Sequence, residues 1–448
     1  MTANTGTAAK IIGGSTTCTL FSLSNRKSKK PGKKSELEKT FQHVNTVIVD
    51  EVSLIGCNQL ANISKKLTIA TGANPAHAFG KLDMIFLGDF YQFPPVKDTP
   101  LYTAWKNGRK VKNTKGEAQK EAIMNVWKNL SHVIFLDEQM RVQDNRYLEL
   151  LNRLREGECN QGDVEMLNKR VIGHHVDVTS ISKNPIIVPG NELGMEINKL
   201  FANRHSQNKR VLVTKAKDTY NKGSPLTQDL VDIIKDKPHT NTGQLPGELP
   251  LFIGMPIYVS NNIAVELGLT NGTSGVVKAI HIQDGETISE EEIGFHHVGF
   301  NDMDCIIVEL DDVSAKPLRG LQPNHIPIFP QSGSFQVALK RRTTDKKVKN
   351  ISINRIHFPI VPRFSVTAHK SQGLTLGKAI IDLVPNPKQK NRTQEVSFSY
   401  VPLSRVRKLE DLTILREFPA SVIVNPQVNE ARTAMMTHFK EIDLCKGM

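Results

Sequence analysis

Short, unbroken apolar runs alternate with longer polar stretches over the first third of the chain. TVIVDE (residues 46–51), LDMIFLGDF (82–90) and HVIFLDE (132–138) each hold three or four consecutive apolar side chains. Runs this short and this continuous predict parallel strands covered on both faces, the texture of an α/β sheet. From Asp144 the spacing changes. Tyr147, Leu148, Leu150, Leu151 and Leu154 recur at helical intervals, with Asp144 placed to cap the start and Gly157 to end it, so a helix opens a second unit there. Between about 254 and 357 the pattern becomes strand and turn: MPIYVS, then the turn-rich NGTSG, then GVVKAIHI and DCIIVEL. That predicts a small β-barrel inserted into a larger fold. After Pro359, AIIDLV (379–384) and DLTILREF (411–418) return as buried strands.

Length and composition set the scale. At 448 residues the chain suggests about three units, at ~150 residues per domain. With 39% hydrophobic and 23% charged residues it reads as a soluble globular protein, and no run approaches the ~18 apolar residues of a membrane helix. The N-terminus lacks the apolar core of a signal peptide, so a cytosolic, nuclear or organellar interior is expected. Five scattered cysteines, none spaced C-x-x-C, disfavour a disulfide framework and a zinc site. The net charge of +13 favours a polyanionic partner. RKSKKPGKKSELEK (26–39) reads as a solvated surface loop in preference to a nuclear address or a DNA-binding arm.

Four stretches carry candidate chemistry. VIVDEVSLIG sets Asp50 and Glu51 at a strand's carboxyl end, where ligands of α/β sheets gather. Two such carboxylates suit Mg²⁺ binding by the first and water activation by the second; taken alone, they equally read as a helix cap with a neighbouring surface acid. GDFYQFPPV delivers Asp89 and Gln92 at a second strand end, and Pro94-Pro95 stops helix or central strand from continuing. Such a turn suits sensing of a γ-phosphate; it also reads as a tight loop whose glutamine satisfies local backbone. SVTAHKSQGLTL interleaves Thr367, His369, Lys370, Ser371 and Gln372 before Gly373, donors suited to a phosphate backbone. YVPLSRVR presents Arg405 and Arg407, and a fixed guanidinium is what phosphoryl transfer uses against developing charge. An isolated arginine is more commonly a surface ion-pair partner.

In this order and spacing, VIVDEVSLIG, FGKLDMIFLGDFYQFPPV, LDEQMRVQD, LTNGTSGVV, TAHKSQGLTL and YVPLSRVRKLEDLTIL resemble the petite integration frequency (Pif-type) DNA helicases. These form the 5′-to-3′ branch of helicase superfamily one and include the helicase part of Helitron transposons. The opening TANTGTAAKIIGGSTTCTLFSL resembles that family's motif Ia, so the resemblance runs from Thr2 to about Phe418. It implies an α/β fold of two RecA-like P-loop NTPase domains, the first incomplete, with an inserted SH3-like β-barrel. The implied boundaries are 1–130 for the first domain, 131–250 and 359–448 for the second, and 251–358 for the barrel. Carried over by motif, Asp50 coordinates Mg²⁺, Glu51 orients the attacking water, and Gln92 contacts the γ-phosphate. Arg405 and Arg141 act as arginine fingers across the ATP cleft, and Asp89 and Gly373 join Gln92 and Arg405 around the nucleotide. Thr5, Gly6, Thr7, Thr367, His369, Lys370 and Ser371 touch single-stranded DNA. The implied cofactors are ATP and Mg²⁺; the implied partners are single-stranded and forked or duplex DNA, with no membrane, for a monomer in the nucleus or the mitochondrion. Genome maintenance, including DNA repair, recombination and telomere maintenance, or transposition is the implied setting.

The family's phosphate loop, G-x-x-x-x-G-K-[ST], should lie just upstream of motif Ia, where this chain begins. No Gly-Lys pair substitutes for it: Gly32-Lys33 has Lys27 where the first glycine belongs, Gly80-Lys81 has Pro75, and Gly377-Lys378 has Gln372. The loop's amides cradle the phosphates and its lysine neutralises their charge, so without it the acid pair is half a site. The expectation is a truncated chain, inactive in ATP hydrolysis by itself, with apolar surface exposed where the first strand and helix are missing. Three readings compete: a fragment of an active helicase, a transposon-type relic that binds single strands without hydrolysis, and a metal-dependent nuclease, which no further acid or histidine cluster supports.

Overall fold

The computed structural model describes residues 1–23, 33–105, 115–172, 185–208, 210–220, 223–235, 237–264, 269–282, 293–299, 302–311, 318–340, 348–385, 395–424, 426 and 429–443. The chain divides into two compact units, Met1–Val178 with Ser371–Met448, and Thr179–Lys370.

In the first unit, strands Ser15–Thr16, Thr2–Ala3, Thr46–Asp50 and Asp83–Phe86 lie side by side in that order, all parallel. Two of the predicted runs thus become neighbours, with Val49 opposite Phe86. Their registration brings both carboxyl ends together, and there the candidate chemistry begins. The helix Cys57–Thr71 buries Leu60, Ile63 and Leu67 on one stripe and ends on Gly72 in the left-handed region. It packs against helices Lys33–Phe41 and Lys115–Lys128.

The third run departs from expectation. Residues 132–138 form no strand beyond an isolated bridge between Val133 and Asp443, and Leu136 is 90% exposed. A strand exists only through its neighbours, and among the described residues nothing pairs with the outer edge of Asp83–Phe86. Ile85 and Leu87 stay exposed on that same side of the sequence pattern.

Helix Asn145–Glu156 forms as predicted. Asp144 accepts from the Arg146 and Tyr147 amides, Gly157 closes the helix at φ 80°, and Tyr147, Leu150, Leu151 and Leu154 are buried. Ala379–Ile381 and Leu412–Ile414 pair in parallel, shorter than their apolar runs. The first stops because Asp382 turns the chain, its carboxylate accepting from the Val384 amide and from Arg416. Trp127 gathers Phe86, Phe90 and Phe439 around it, tying the Asp83–Phe86 strand to helix Glu430–Glu441.

In the second unit a five-stranded antiparallel sheet runs His325–Ile328, Met303–Leu310, Ser274–Ile282, Pro256–Val259, Ile360–Pro362. Its core holds Ile257, Val259, Val277, Ile306, Val308 and Phe358. The strand-and-turn segment does not stay in one sheet. Gly294–His297 joins Arg210–Lys215 in parallel, and the hairpin Gln331–Lys340 with Val348–His357 pairs to Lys217–Tyr220. Alternating patterns announce strands without naming their partners, which is why the sequence texture did not separate these sheets. Arg355, fully enclosed, grips Asp218 through two nitrogens at 2.7 and 2.6 Å and fixes that junction. Strands Ile186–Val188 and Ser365–Thr367 pair in parallel beneath helix Asn191–Ser206. No described helix is long and apolar enough to cross a membrane.

Candidate functional site

At the end of the Thr46–Asp50 strand the chain turns sharply. Glu51 adopts φ 55°, ψ 46°, a conformation that non-glycine residues enter at a cost of about 1 kcal/mol or more. Two bonds hold it there. The Asp50 carboxylate accepts from the Glu51 amide at 2.8 Å, and the Val52 amide donates to the Leu87 carbonyl at 2.9 Å, joining the two strand ends. Gly88 permits this approach, since a Cβ on it would lie 2.8 Å from the Val52 nitrogen.

The Glu51 carboxylate accepts from the Gln372 side-chain amide at 2.7 Å. Gln372 is buried, 3.4 Å from the Ser53 hydroxyl, and its own Oε1 has no hydrogen-bond partner. Burial raises the Glu51 pKa, and the charges of Asp50 and Asp89 add to the rise; the Gln372 bond and Arg405 act against it. Next to Gln372, Gly373 turns at φ 81°, where a Cβ would lie 3.6 Å from the other Glu51 oxygen.

Arg405 lies inside the unit at 1% exposure, donating from Nε to the Val401 carbonyl at 2.8 Å and from one terminal nitrogen to the carbonyls of Leu374 and Ser371 at 3.2 and 3.4 Å. Its other terminal nitrogen meets the Ser404 hydroxyl at 2.6 Å. Burial, and then the charge of Arg141, lower its pKa to about 10, so it stays charged at neutral pH. Arg141 reaches the Ser404 carbonyl at 3.4 Å.

Asp89 holds its own turn: it accepts from the Tyr91 amide and from Arg155, both at 3.0 Å. Two guanidinium groups lie over the Tyr91 ring, Arg155 at 4.7 Å and Arg432 at 4.9 Å, and its hydroxyl donates to Glu156. The Gln92 amide is fixed on the Asp89 carbonyl, while its side-chain Oε1 is buried without a donor. Orphaned acceptors are uncommon inside proteins and mark positions awaiting a partner.

The expected DNA ligands fall into separate places. Thr5 caps the short helix Gly6–Ile11, its hydroxyl accepting from the Ala8 amide at 3.2 Å, with Gly6 and Thr7 in the first turn. Asn4 anchors this segment, donating to the Leu54 carbonyl just beyond Glu51 and accepting from Thr17 and Gln59. Ser371 is fully enclosed, its carbonyl engaged by Arg405. Thr367, His369 and Lys370 belong to the second unit. There the Lys370 ammonium sits 3.4 Å from the His239 ring, whose pKa burial and the Lys370 charge push down to about 3.

Sequence reading missed Gln372 as a partner of Glu51, the Arg155–Tyr91–Arg432 stack and His239. Only Gln372 had a usable signal, its place beside a glycine in a polar loop.

Asp50 keeps one carboxylate oxygen outside the Glu51 amide bond, which suits Mg²⁺, an ion bound by one or two carboxylates with water and phosphate oxygens completing its shell. Among the described residues no three His, Cys, Asp or Glu side chains form a metal cage, so these residues offer that part of the shell alone.

The raised Glu51 pKa yields a stability prediction. Its folded pKa exceeds the unfolded value, so ionisation weakens the fold as pH rises from about the unfolded pKa through the folded one. Glu51→Gln is expected to melt higher than the parent at pH 7, with the gain vanishing towards pH 4. Equal melting temperatures at pH 7 would refute the placement of that carboxylate.

A parallel sheet that presents acids at one strand end and a proline-stopped turn at the next, with a buried arginine beside them, has the layout of a RecA-like domain. Comparison bears this out. A crystal structure of Bacteroides Pif1 bound to single-stranded DNA superposes with a TM-score of 0.64 at 19% identity, over 98% of this chain and 87% of that one. Residues 1–165 match the PIF1-like helicase family model. The ATP-dependent DNA helicase Pif1 of Psychrobacter is 25% identical over 99% of this chain and 64% of its own length, and that of Candida albicans is 25% identical over 98% and 52%. The chain is thus similar to Pif1-type helicases over nearly its whole length, and shares their fold. It spans between half and two thirds of the length of those two relatives.

Proposed function

We propose that these residues form the motor core of an ATP-dependent DNA helicase moving 5′ to 3′. The observation that carries this reading is the 2.7 Å bond from Gln372 to Glu51, which ties the carboxylate suited to activating water to the HKSQG loop suited to DNA phosphates. Hydrolysis coupled to a nucleic acid requires such a connection between the two chemistries. In this reading Mg²⁺ and ATP bind at Asp50, and magnesium supplies charge neutralisation for the phosphates. Glu51 orients the water, Gln92 uses its orphaned oxygen towards the terminal phosphate or that water, and Asp89 holds the turn that presents it. Arg405 and Arg141 neutralise developing charge, with Gly373 giving the nucleotide room. Thr5, Gly6, Thr7, Thr367, His369, Lys370 and Ser371 follow the single strand. Residues 1–130 serve as the first RecA-like domain, 131–250 and 359–448 as the second, and 251–358 as an SH3-like insertion. A monomer acting on single-stranded, forked or duplex DNA in the nucleus or mitochondrion fits the basic charge and the eukaryotic relative.

A second reading, a single-strand binder that does not hydrolyse ATP, is favoured by one observation: the 448 residues contain no G-x-x-x-x-G-K-[ST]. The two are separated by turnover. The chain as it stands is expected to bind single-stranded DNA without DNA-stimulated ATP hydrolysis. Joined to a phosphate-loop strand, it is expected to hydrolyse ATP, to open 5′-tailed duplexes in preference to 3′-tailed ones, and to lose about 10²–10⁴-fold in turnover with Glu51→Gln. Turnover unaffected by Glu51→Gln, or a preference for 3′ tails, refutes the motor.

A further inference from the structure

The second unit contains a cavity of about 190 Å³ between helix Asn191–Ser206, strands Glu248–Leu251 and Ile360–Pro362, and the turn that leads to Lys370. Its walls are of two kinds. Met195, Pro250, Tyr258 and Val366 give a largely apolar interior with one aromatic ring. Lys199, Lys235, Lys237 and Lys370 supply cations, against a single lining carboxylate, Glu248. Lys235 has Asp232 at 3.3 Å, whereas among the described residues the Lys370 ammonium meets the His239 ring and no carboxylate. Burial lowers the Lys370 pKa, the mark of an ammonium drawn from water without a compensating anion. A buried charge in such a position calls for an ionised partner from outside.

We propose that this cavity receives one nucleotide of the bound single strand, its base against Tyr258 and Met195 and its phosphate at Lys370 and Lys199. The size suits one planar ring system, and the mixture of aromatic and apolar wall with cationic rim suits a base joined to a phosphate. The inference rests on the reading of Lys370 as a DNA contact and adds a base-binding step to it. A strand threading past would then be held at one position by its base as well as by its charge.

The test compares a short single-stranded oligonucleotide with a counterpart of the same phosphates and no bases. The parent chain is expected to bind the intact strand about tenfold more tightly. Met195→Trp, which fills the cavity from the half-buried side of helix Asn191–Ser206, is expected to erase that difference and leave affinity for the abasic strand unchanged. A 2-aminopurine in the intact strand should lose emission on binding to the parent, a readout that needs no variant. An unchanged ratio in a folded Met195→Trp, or unchanged 2-aminopurine emission, overturns the base pocket while leaving DNA binding in place. Failure of both strands to bind overturns the DNA reading itself and the pocket with it. Binding of a free nucleoside monophosphate, lost in Met195→Trp when neither strand binds, would assign the cavity to free nucleotides instead.

Discussion

Arg405→Ala is expected to destabilise the first unit by about 3–5 kcal/mol, read as an earlier urea midpoint. The guanidinium serves three backbone carbonyls, those of Val401, Ser371 and Leu374, in a place closed to water. Each buried acceptor left without a donor costs about 1–3 kcal/mol. The lowered pKa, about 10, says that burial works against the charge itself. What Arg405 contributes to the fold is therefore the fan of donors. Arg405→Lys should recover little, since one ammonium cannot reach three carbonyls from a fixed stem. A midpoint equal to the parent's in Arg405→Ala would show that these bonds are dispensable. The same bonds bear on motor function: a guanidinium so fully occupied can meet a phosphate only by exchanging some of them, so the loop at Ser371 and Leu374 should shift when nucleotide arrives.

Single-stranded DNA affinity is expected to fall about 100-fold between 50 and 200 mM monovalent salt, the change for roughly five phosphate contacts on a single strand. Lys370→Met should weaken binding and flatten the logarithmic salt slope by about 0.7, one phosphate's worth. The reason is local. Lys370 faces an imidazole held neutral by its burial and by the lysine's own charge, so its ammonium is free to take a phosphate as its counterion. Fluorescence anisotropy across a salt series measures both quantities. A flat series, or an unchanged slope in Lys370→Met, would remove Lys370 from the phosphate track.

Elements whose signals are local were readable from sequence. The helix after Asp144 has its cap, its apolar stripe and its terminating glycine within one stretch, and it forms as those residues dictate. Asp50 and Glu51 are at a strand end because Val47 and Val49 make that strand. Residues 132–138 carry the same apolar signal and yet make no strand, because a ladder depends on an edge elsewhere in the molecule. The bond between Glu51 and Gln372 joins residues 321 positions apart, and no periodicity relates them. Asp89 was legible as a polar group at a strand end, but its partner Arg155 was hidden on the polar side of a helix whose apolar stripe drew attention. Chemistry carried by spacing within a motif could be read; chemistry carried by tertiary contact could not.

The chain has two tryptophans, Trp105 and Trp127, and each lies against the ring of Phe439 in the first unit. Intrinsic emission excited at the indole band therefore watches that unit alone. The other half of the molecule is dark at this wavelength, so a titration that perturbs the lysine-lined cavity without touching the acid pair should leave the spectrum still, while events at the acid pair should be visible without any attached dye.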